Sequence, residues 1–163
     1  MPDDVENNEP TRMSPTVVKR LDLTLPGENV FQMQRRLGDE VPSEIRLNVA
    51  GATLSQIYKR LHPDRPSYTI TGSGGGGTHV YHWSESRALT SRERARLQTF
   101  PDTHVFEGGR ESVRRQVGMA VPPRGVSHVF LAVLKTFSGI RYPSEQANIE
   151  MPARSLDVKV LQS

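Results

Sequence analysis

The pattern of apolar and polar positions changes near Trp83. Residues 1–16 are acidic, polar and punctuated by Pro2, Pro10 and Pro15, which predicts a disordered leader. From Val17 to Ile70 the chain runs in short mixed segments broken by Pro26-Gly27, Gly38, Pro42, Gly51 and Pro63. Val17 to Leu25 alternates loosely and Glu44 to Val49 cleanly, so two half-buried strands are expected. Thr53 to Leu61 fits one short helix, with Leu54, Ile57, Tyr58 and Leu61 on one face. Ser67 to Thr71 is β-branched and aromatic, a strand pattern that runs into Gly72-Ser73-Gly74-Gly75-Gly76-Gly77.

Helical spacing takes over in the second half. Thr90 precedes Glu93 by three residues, a capping-box arrangement that opens a helix over SRERARLQ and ends before Pro101. A second helix is expected from Glu111 to Val117. Pro122-Pro123 opens a third, in which Val126, Val129, Phe130, Val133, Leu134 and Phe137 form one continuous stripe. Beyond Gly139 the chain is mostly polar, with Leu156 to Leu161 as an edge-strand candidate. The expected class is α+β: a small mixed region of short strands and loops, then two or three helices.

Composition narrows this picture. Apolar residues make up 35%, against roughly 45–50% with glycine counted in an average domain. A modest core follows, with part of the chain packing on something outside it. The formal charge is +3, the isoelectric point about 9.5, and Arg far outnumbers Lys. Arginine suits bidentate contacts to phosphate and guanine, so an acidic partner is favoured, although an ordinary basic surface gives the same balance. The absence of cysteine excludes disulfides, thiolate–zinc sites and a cysteine nucleophile in these residues. No apolar run approaches about 18 residues and no signal-peptide pattern opens the chain, so a cytoplasmic protein without a membrane span is expected.

Two stretches carry a family resemblance. Arg87–Asp102 (RALTSRERARLQTFPD) resembles the ninth conserved motif of cytosine-5 DNA methyltransferases, and Arg114–Pro123 (RRQVGMAVPP) resembles their tenth. Their order, spacing and following helix are also similar. Tyr58–Trp83 is similar to the end of the target-recognition region in one branch of the family. The resemblance implies a recognition region at 17–84, motif helices at 85–138 and a tail at 139–163. It further implies that the helices pack on a Rossmann-like catalytic lobe that these residues do not include. In such enzymes a thiolate attacks C6 of a flipped cytosine and C5 takes the methyl group of S-adenosylmethionine. Neither the Pro-Cys dipeptide nor the glycine-rich cofactor turn is present here. Glu28-Asn29-Val30 repeats the letters of the family's catalytic glutamate motif, but it follows Pro26-Gly27 and lies outside the family order, so it reads as coincidence.

Candidate site residues follow from the residue chemistry and the resemblance together. The glycine run lets the backbone approach a partner closely. It is not a phosphate-binding P-loop, since Thr78-His79 stands where Gly-Lys is needed. A flexible linker and a DNA-facing loop remain, and the resemblance favours the loop. The DNA-binding candidates are Thr53, Leu54, Lys59, Arg60, Thr71, Ser73, Gly74, Gly75, Gly76, Thr78, His79, His82, Arg110 and Arg114. Of these, Thr53-Leu54 resembles the Thr-Leu pair common in recognition regions. His79 and His82 form an HxxH pair without a third ligand at credible spacing, so no metal is expected. Arg87, Thr90, Glu93, Arg96 and Gln98 match the polar positions of the ninth motif, which implies a structural role. Gly118, Met119, Ala120 and Val121 match the turn that lines the S-adenosylmethionine pocket, with Met119 in place of the usual asparagine. No residue here is expected to be catalytic.

The functional expectation is a recognition subunit of a split enzyme, partnered with duplex DNA and with a larger catalytic chain, in a restriction-modification system. Met1 and the leader favour separate encoding. The alternatives are a truncated remnant of a single-chain enzyme and a stand-alone DNA-binding module.

Overall fold

The computed structural model describes residues 5–48, 56–72 and 79–145. The described residues hold five α-helices: α1 (Pro15–Asp22), α2 (Val30–Leu37), α3 (Ser91–Leu97), α4 (Arg110–Met119) and α5 (Pro123–Phe137). Two 3-10 turns, Gly38–Glu40 and Ser43–Ile45, follow α2. Two compact units divide the chain, one ending at His128 and one beginning at Val129.

The first half is more helical than its sequence pattern suggests. Where a strand is expected from Val17, the chain forms α1, because Ser14 caps it and Pro15 sets the first turn. The loose alternation misleads because Arg20 is buried beside Leu21, so a polar letter occupies an inward position. Arg20 lies over the Tyr58 ring at 4.4 Å, and its Nε donates to the Ile45 carbonyl at 2.8 Å. The sequence pattern does not single out α2 at all. There Asn29 and Gln32 form a reciprocal capping box, while Glu28 pairs with Arg36 at 2.9 Å. The Glu-Asn-Val letters thus serve a helix start.

The strand expected at Glu44–Val49 is also corrected. Ser43–Ile45 is a 3-10 turn, and Leu47 finds its partners in one side chain, the Gln34 amide, at 2.9 and 3.3 Å. A single residue's backbone is satisfied without a neighbouring strand. Of the helix expected at Thr53–Leu61, residues 53–55 lie outside the described residues. The rest is a turn with Tyr58 at φ 47°. Among the described residues pairing is limited to isolated bridges, Arg60 with Tyr81 and Tyr81 with Ala88. The leader expected at 1–16 is tied down where described. Asn7 bonds the Phe106 backbone in both directions at 3.1 Å, and its carbonyl accepts from the Arg92 amide.

Two apolar clusters form. One gathers Leu21, Val30, Met33, Val41, Ile45, Ile57, Tyr58, Tyr81 and Ala88; the other gathers Ile70, Val80, Leu89, Ala95, Phe106, Val113 and Val117. Val80 and Tyr81 are neighbours yet enter different clusters, as do Ala88 and Leu89, because an extended backbone alternates its side chains. This short crossing, held by Leu89 N–H to Val80 O at 2.9 Å, joins the two clusters.

Helices α4 and α5 do not merge. Ala120 takes an extended conformation (φ −74°, ψ 149°) and Pro122-Pro123 follows, so the apolar stretch Arg110–Phe137 is interrupted. Helix α5 has 15 residues, about 22 Å of rise, short of the roughly 30 Å of a bilayer core. None of its side chains is buried. Val129, Phe130, Leu131, Leu134 and Phe137 are all more than half exposed.

Candidate DNA-recognition surface and cofactor turn

Helix α3 is built around charge. Thr90 accepts from the Glu93 amide at 3.1 Å while the Glu93 carboxylate accepts from the Thr90 amide at 2.9 Å. Arg87 grips the same carboxylate with two bonds of 2.7 and 2.8 Å, and also reaches Glu85. Burial raises the Glu93 pKa, but the Arg87 and Thr90 bonds outweigh it and hold the carboxyl below its usual range. Arg96 pairs with Asp102 across the turn to Pro101. Gln98, from the end of α3, donates to the Val117 carbonyl of α4 at 3.2 Å. All five ninth-motif positions therefore hold backbone or side-chain partners inside the first unit.

Two arginines of α3 were not separable in sequence from the others. Arg92 is fully buried and serves three carbonyls: Glu6 at 2.9 Å, Pro101 at 3.2 Å and His104 at 2.8 Å. It also faces the Phe106 ring. Arg94 is 3% exposed and donates from Nη2 to the Thr71 carbonyl at 3.2 Å. No letter pattern marks a buried arginine, because its partners are carbonyls distant in sequence.

The DNA-binding candidates divide three ways. Thr53, Leu54, Ser73, Gly74, Gly75, Gly76 and Thr78 lie outside the described residues. Arg60 is corrected from a base-reading position to a buried brace. Its guanidinium serves the carbonyls of Leu21, Thr24 and His82 at 2.8–3.0 Å through Nε and Nη1, and at 5% exposure the side chain is turned inward. The rest remain within reach of solvent. Lys59 places its ammonium 5.4 Å from the Tyr68 ring centre, Thr71 is exposed, and Arg110 is exposed at the start of α4. His82 stacks on the exposed Trp83 at 5.5 Å, and its Nδ1 accepts from the Ser84 and Glu85 amides. His79 and Arg114 are half-buried, and both lie in the field of Arg94.

Motif ten meets the entry to the glycine run directly. A Cβ on Gly118 would collide with the Gly72 amide nitrogen and the Thr71 carbonyl carbon, so only glycine fits. Conversely, a Cβ on Gly72 would stand 3.2 Å from the Arg115 backbone. Gly118, expected at the cofactor, here seats one backbone on another. The outward residues of the turn are Met119, 75% exposed, and Val121. Ala120 uses its amide on the Val117 carbonyl at 3.4 Å. The turn offers apolar side chains and carbonyls without a charged group, which suits one wall of a cofactor pocket and not a whole one.

Residues 7–135 match the family described as C-5 cytosine-specific DNA methylase. The chain belongs to that family. Among its curated relatives, the type II methyltransferase M.BbvI of Brevibacillus brevis is 57% identical over 144 residues, covering 88% of this chain and 37% of that protein. The type II methyltransferase M.NgoFVII of Neisseria gonorrhoeae is 42% identical, covering 85% and 34%. The DNA (cytosine-5-)-methyltransferase M.ApeKI of Aeropyrum pernix is 41% identical, covering 81% and 26%. The chain thus spans about a third of the length of these curated relatives.

Within this methylase family segment the matched span takes in the first unit and most of α5, where the exposed apolar stripe lies. The functional question becomes what that stripe, the turn at 118–121 and the glycine run each face.

Proposed function

We propose that this chain is the DNA-recognition part of a cytosine-5 DNA methyltransferase of a restriction-modification system, working in the cytoplasm with a catalytic polypeptide. That partner supplies the nucleophilic cysteine, which these 163 residues lack, and the Rossmann-like lobe of an overall α+β enzyme. Duplex DNA is read from the 17–84 region, through the glycine run and the exposed neighbours Lys59, Thr71, His79, His82 and Arg110. The helices of 85–138 brace that region and return the chain to the catalytic lobe.

The observation that carries this reading is α5. It presents Val129, Phe130, Val133, Leu134 and Phe137 without burying one of them. Covering a Phe or Val contributes roughly 1.5–3 kcal/mol each, enough in sum to hold two polypeptides together. The family match and the third-length coverage support the remainder of a methylase as what covers them. Met119 and Val121, at the near end of the same stretch, would then form one edge of the S-adenosylmethionine pocket. The cofactor supplies the transferred methyl group; this chain's residues bound its site and exclude water.

Co-expression with a polypeptide carrying the catalytic cysteine and cofactor motifs from the same cell tests the proposal. A stable complex that methylates cytosine, with neither polypeptide active alone, is the expected result. A chain that stays monomeric, and a catalytic polypeptide fully active without it, would refute the recognition-subunit role. Isothermal calorimetry should show S-adenosylmethionine binding to the complex and not to this chain alone.

A further inference from the structure

Between α3, α4 and Gly72 two arginines crowd together, and the one carboxylate paired with either is the exposed Glu111 on Arg114. Arg94 has one bond to the Thr71 carbonyl, and its Nε is buried without a hydrogen-bond partner. Arg114, on α4, likewise buries an unpartnered Nε, although its side chain is 16% exposed and its Nη2 reaches the exposed Glu111 at 3.4 Å. Burial, then repulsion from Arg114, pulls the Arg94 pKa down to about 10. Half-buried His79 feels both arginines, and after burial they are what lowers its pKa. Among the described residues, Tyr68 is the neighbour whose charge offsets the shift of Arg94, and no carboxylate does. The adjoining segment Ser73–Thr78 contains no acidic residue in its sequence.

A buried guanidinium with an unsatisfied donor and a like-charged neighbour is costly. Other arginines of the first unit are better compensated: Arg92 and Arg20 each reach carbonyls, Arg87 and Arg96 each hold a carboxylate, and Arg60, though its Nη2 is buried without a partner, serves three carbonyls through Nε and Nη1. The Arg94–Arg114 pair is different. Its two Nε donors without partners, together with the exposed Thr71 next to them, describe a seat into which an oxyanion's charge and lone pairs fit.

We infer that Arg94 and Arg114 together form an oxyanion seat for a DNA backbone phosphate at the foot of the glycine run. Arg114, at the exposed edge, makes first contact, and Arg94 beneath it supplies the second guanidinium. The contact fixes the recognition region on the duplex without reading sequence. The inference rests on the DNA-binding reading above and adds the residues that take the phosphate.

The test uses the full chain and a mixed-sequence duplex oligonucleotide, with affinity measured by fluorescence anisotropy across a salt series. Arg94→Met and Arg114→Met are each expected to weaken binding about tenfold, the loss of a charged hydrogen bond. Each should also flatten the plot of log K against log salt by about 0.9, one phosphate's worth of released counterions. The Arg94→Met chain should melt no lower than the parent, because an uncompensated buried charge has been replaced by an apolar side chain. Should Arg94→Met fail to fold, Arg114→Met at the partly exposed edge carries the binding test. If the parent binds DNA and both variants keep its affinity and salt slope, the seat is wrong and the DNA reading stands. If the parent binds no duplex in any salt, both fall. Inorganic phosphate shifting the Arg94 Nε–Hε resonance as the duplex does would add support for an oxyanion seat, while a duplex that leaves that resonance unmoved would overturn it.

Discussion

Helix α3 carries Arg92, Glu93, Arg94 and Arg96 in seven residues and buries two of the arginines, whereas α5 carries a continuous apolar stripe and buries nothing. In an isolated globular domain the two would be expected the other way round. The contrast shows where the fold is complete. Around α3 the charges meet carbonyls or carboxylates within the first unit, and what stays unpartnered there is the Nε of Arg94 and of Arg114, so that region is largely finished by its own sequence. Around α5 the stabilising surface is present and its complement is not. A segment that spans about a third of its relatives' length is expected to have one closed end and one open end.

The largest effect should come from emptying the closed end. Arg92→Ala removes the partner of three carbonyls and leaves a cavity beside Phe106. Breaking such a buried charged network costs about 4 kcal/mol. Urea denaturation should show the chain largely unfolded or with its midpoint sharply lowered. A loss under about 1 kcal/mol would mean that Arg92 behaves as an exposed arginine does.

Gly118→Ala comes next. The added Cβ meets backbone, which cannot move aside by changing rotamer, so overpacking should cost about 3 kcal/mol. It should also weaken DNA binding, because the displaced backbone is that of Thr71 and Gly72. Gly125→Ala is the matched control: its Cβ would meet Pro122 at an ordinary 3.8 Å, and alanine in a helix gains roughly 0.5–1 kcal/mol. Thermal melts of the pair should move in opposite directions.

A smaller effect, in pH, comes from His79. Burial and the charges of Arg114 and Arg94 hold its folded pKa below the ordinary 6.5. The unfolded chain therefore takes up the proton first as pH falls. The resulting stability is present above about pH 6.5 and is lost as pH drops through the folded pKa. His79→Gln should flatten stability between pH 7 and pH 5 (about the range in which an ordinary histidine titrates). Parallel curves for both chains would place His79 outside the arginine field.

What the sequence revealed was local. The α3 capping box, the stop before Pro101 and the α5 stripe all depend on residues within one or two turns, and each is read from letters. The first half resisted because its decisive contacts are distant. Arg60 looks suited to base edges, yet its carbonyls belong to Leu21, Thr24 and His82. Arg20 breaks the helical pattern of α1 only if arginine is assumed to face water. The motif residue Gly118 suggested a ligand, while its closest neighbour is the chain's own backbone. Of the proposed recognition surface, residues 73–78 and the Thr53-Leu54 pair lie outside the described residues.

The smallest expected change in stability is the one that best tests the open end. Phe130→Ser with Phe137→Ser replaces side chains that are 62% and 86% exposed. With nothing packed against them, their loss should leave the unfolding free energy of the first unit within about 0.5 kcal/mol of the parent. The same double substitution should abolish assembly with the catalytic polypeptide, and with it methylation, because these rings are the largest anchors on the stripe. It should also make the isolated chain less prone to aggregate, which light scattering would register. A large stability loss would mean the stripe is core to this chain alone. Full assembly despite the substitutions would mean that the open end lies elsewhere. Unchanged folding with lost assembly is the one outcome that keeps α3 and α5 as the closed and open ends of a single enzyme.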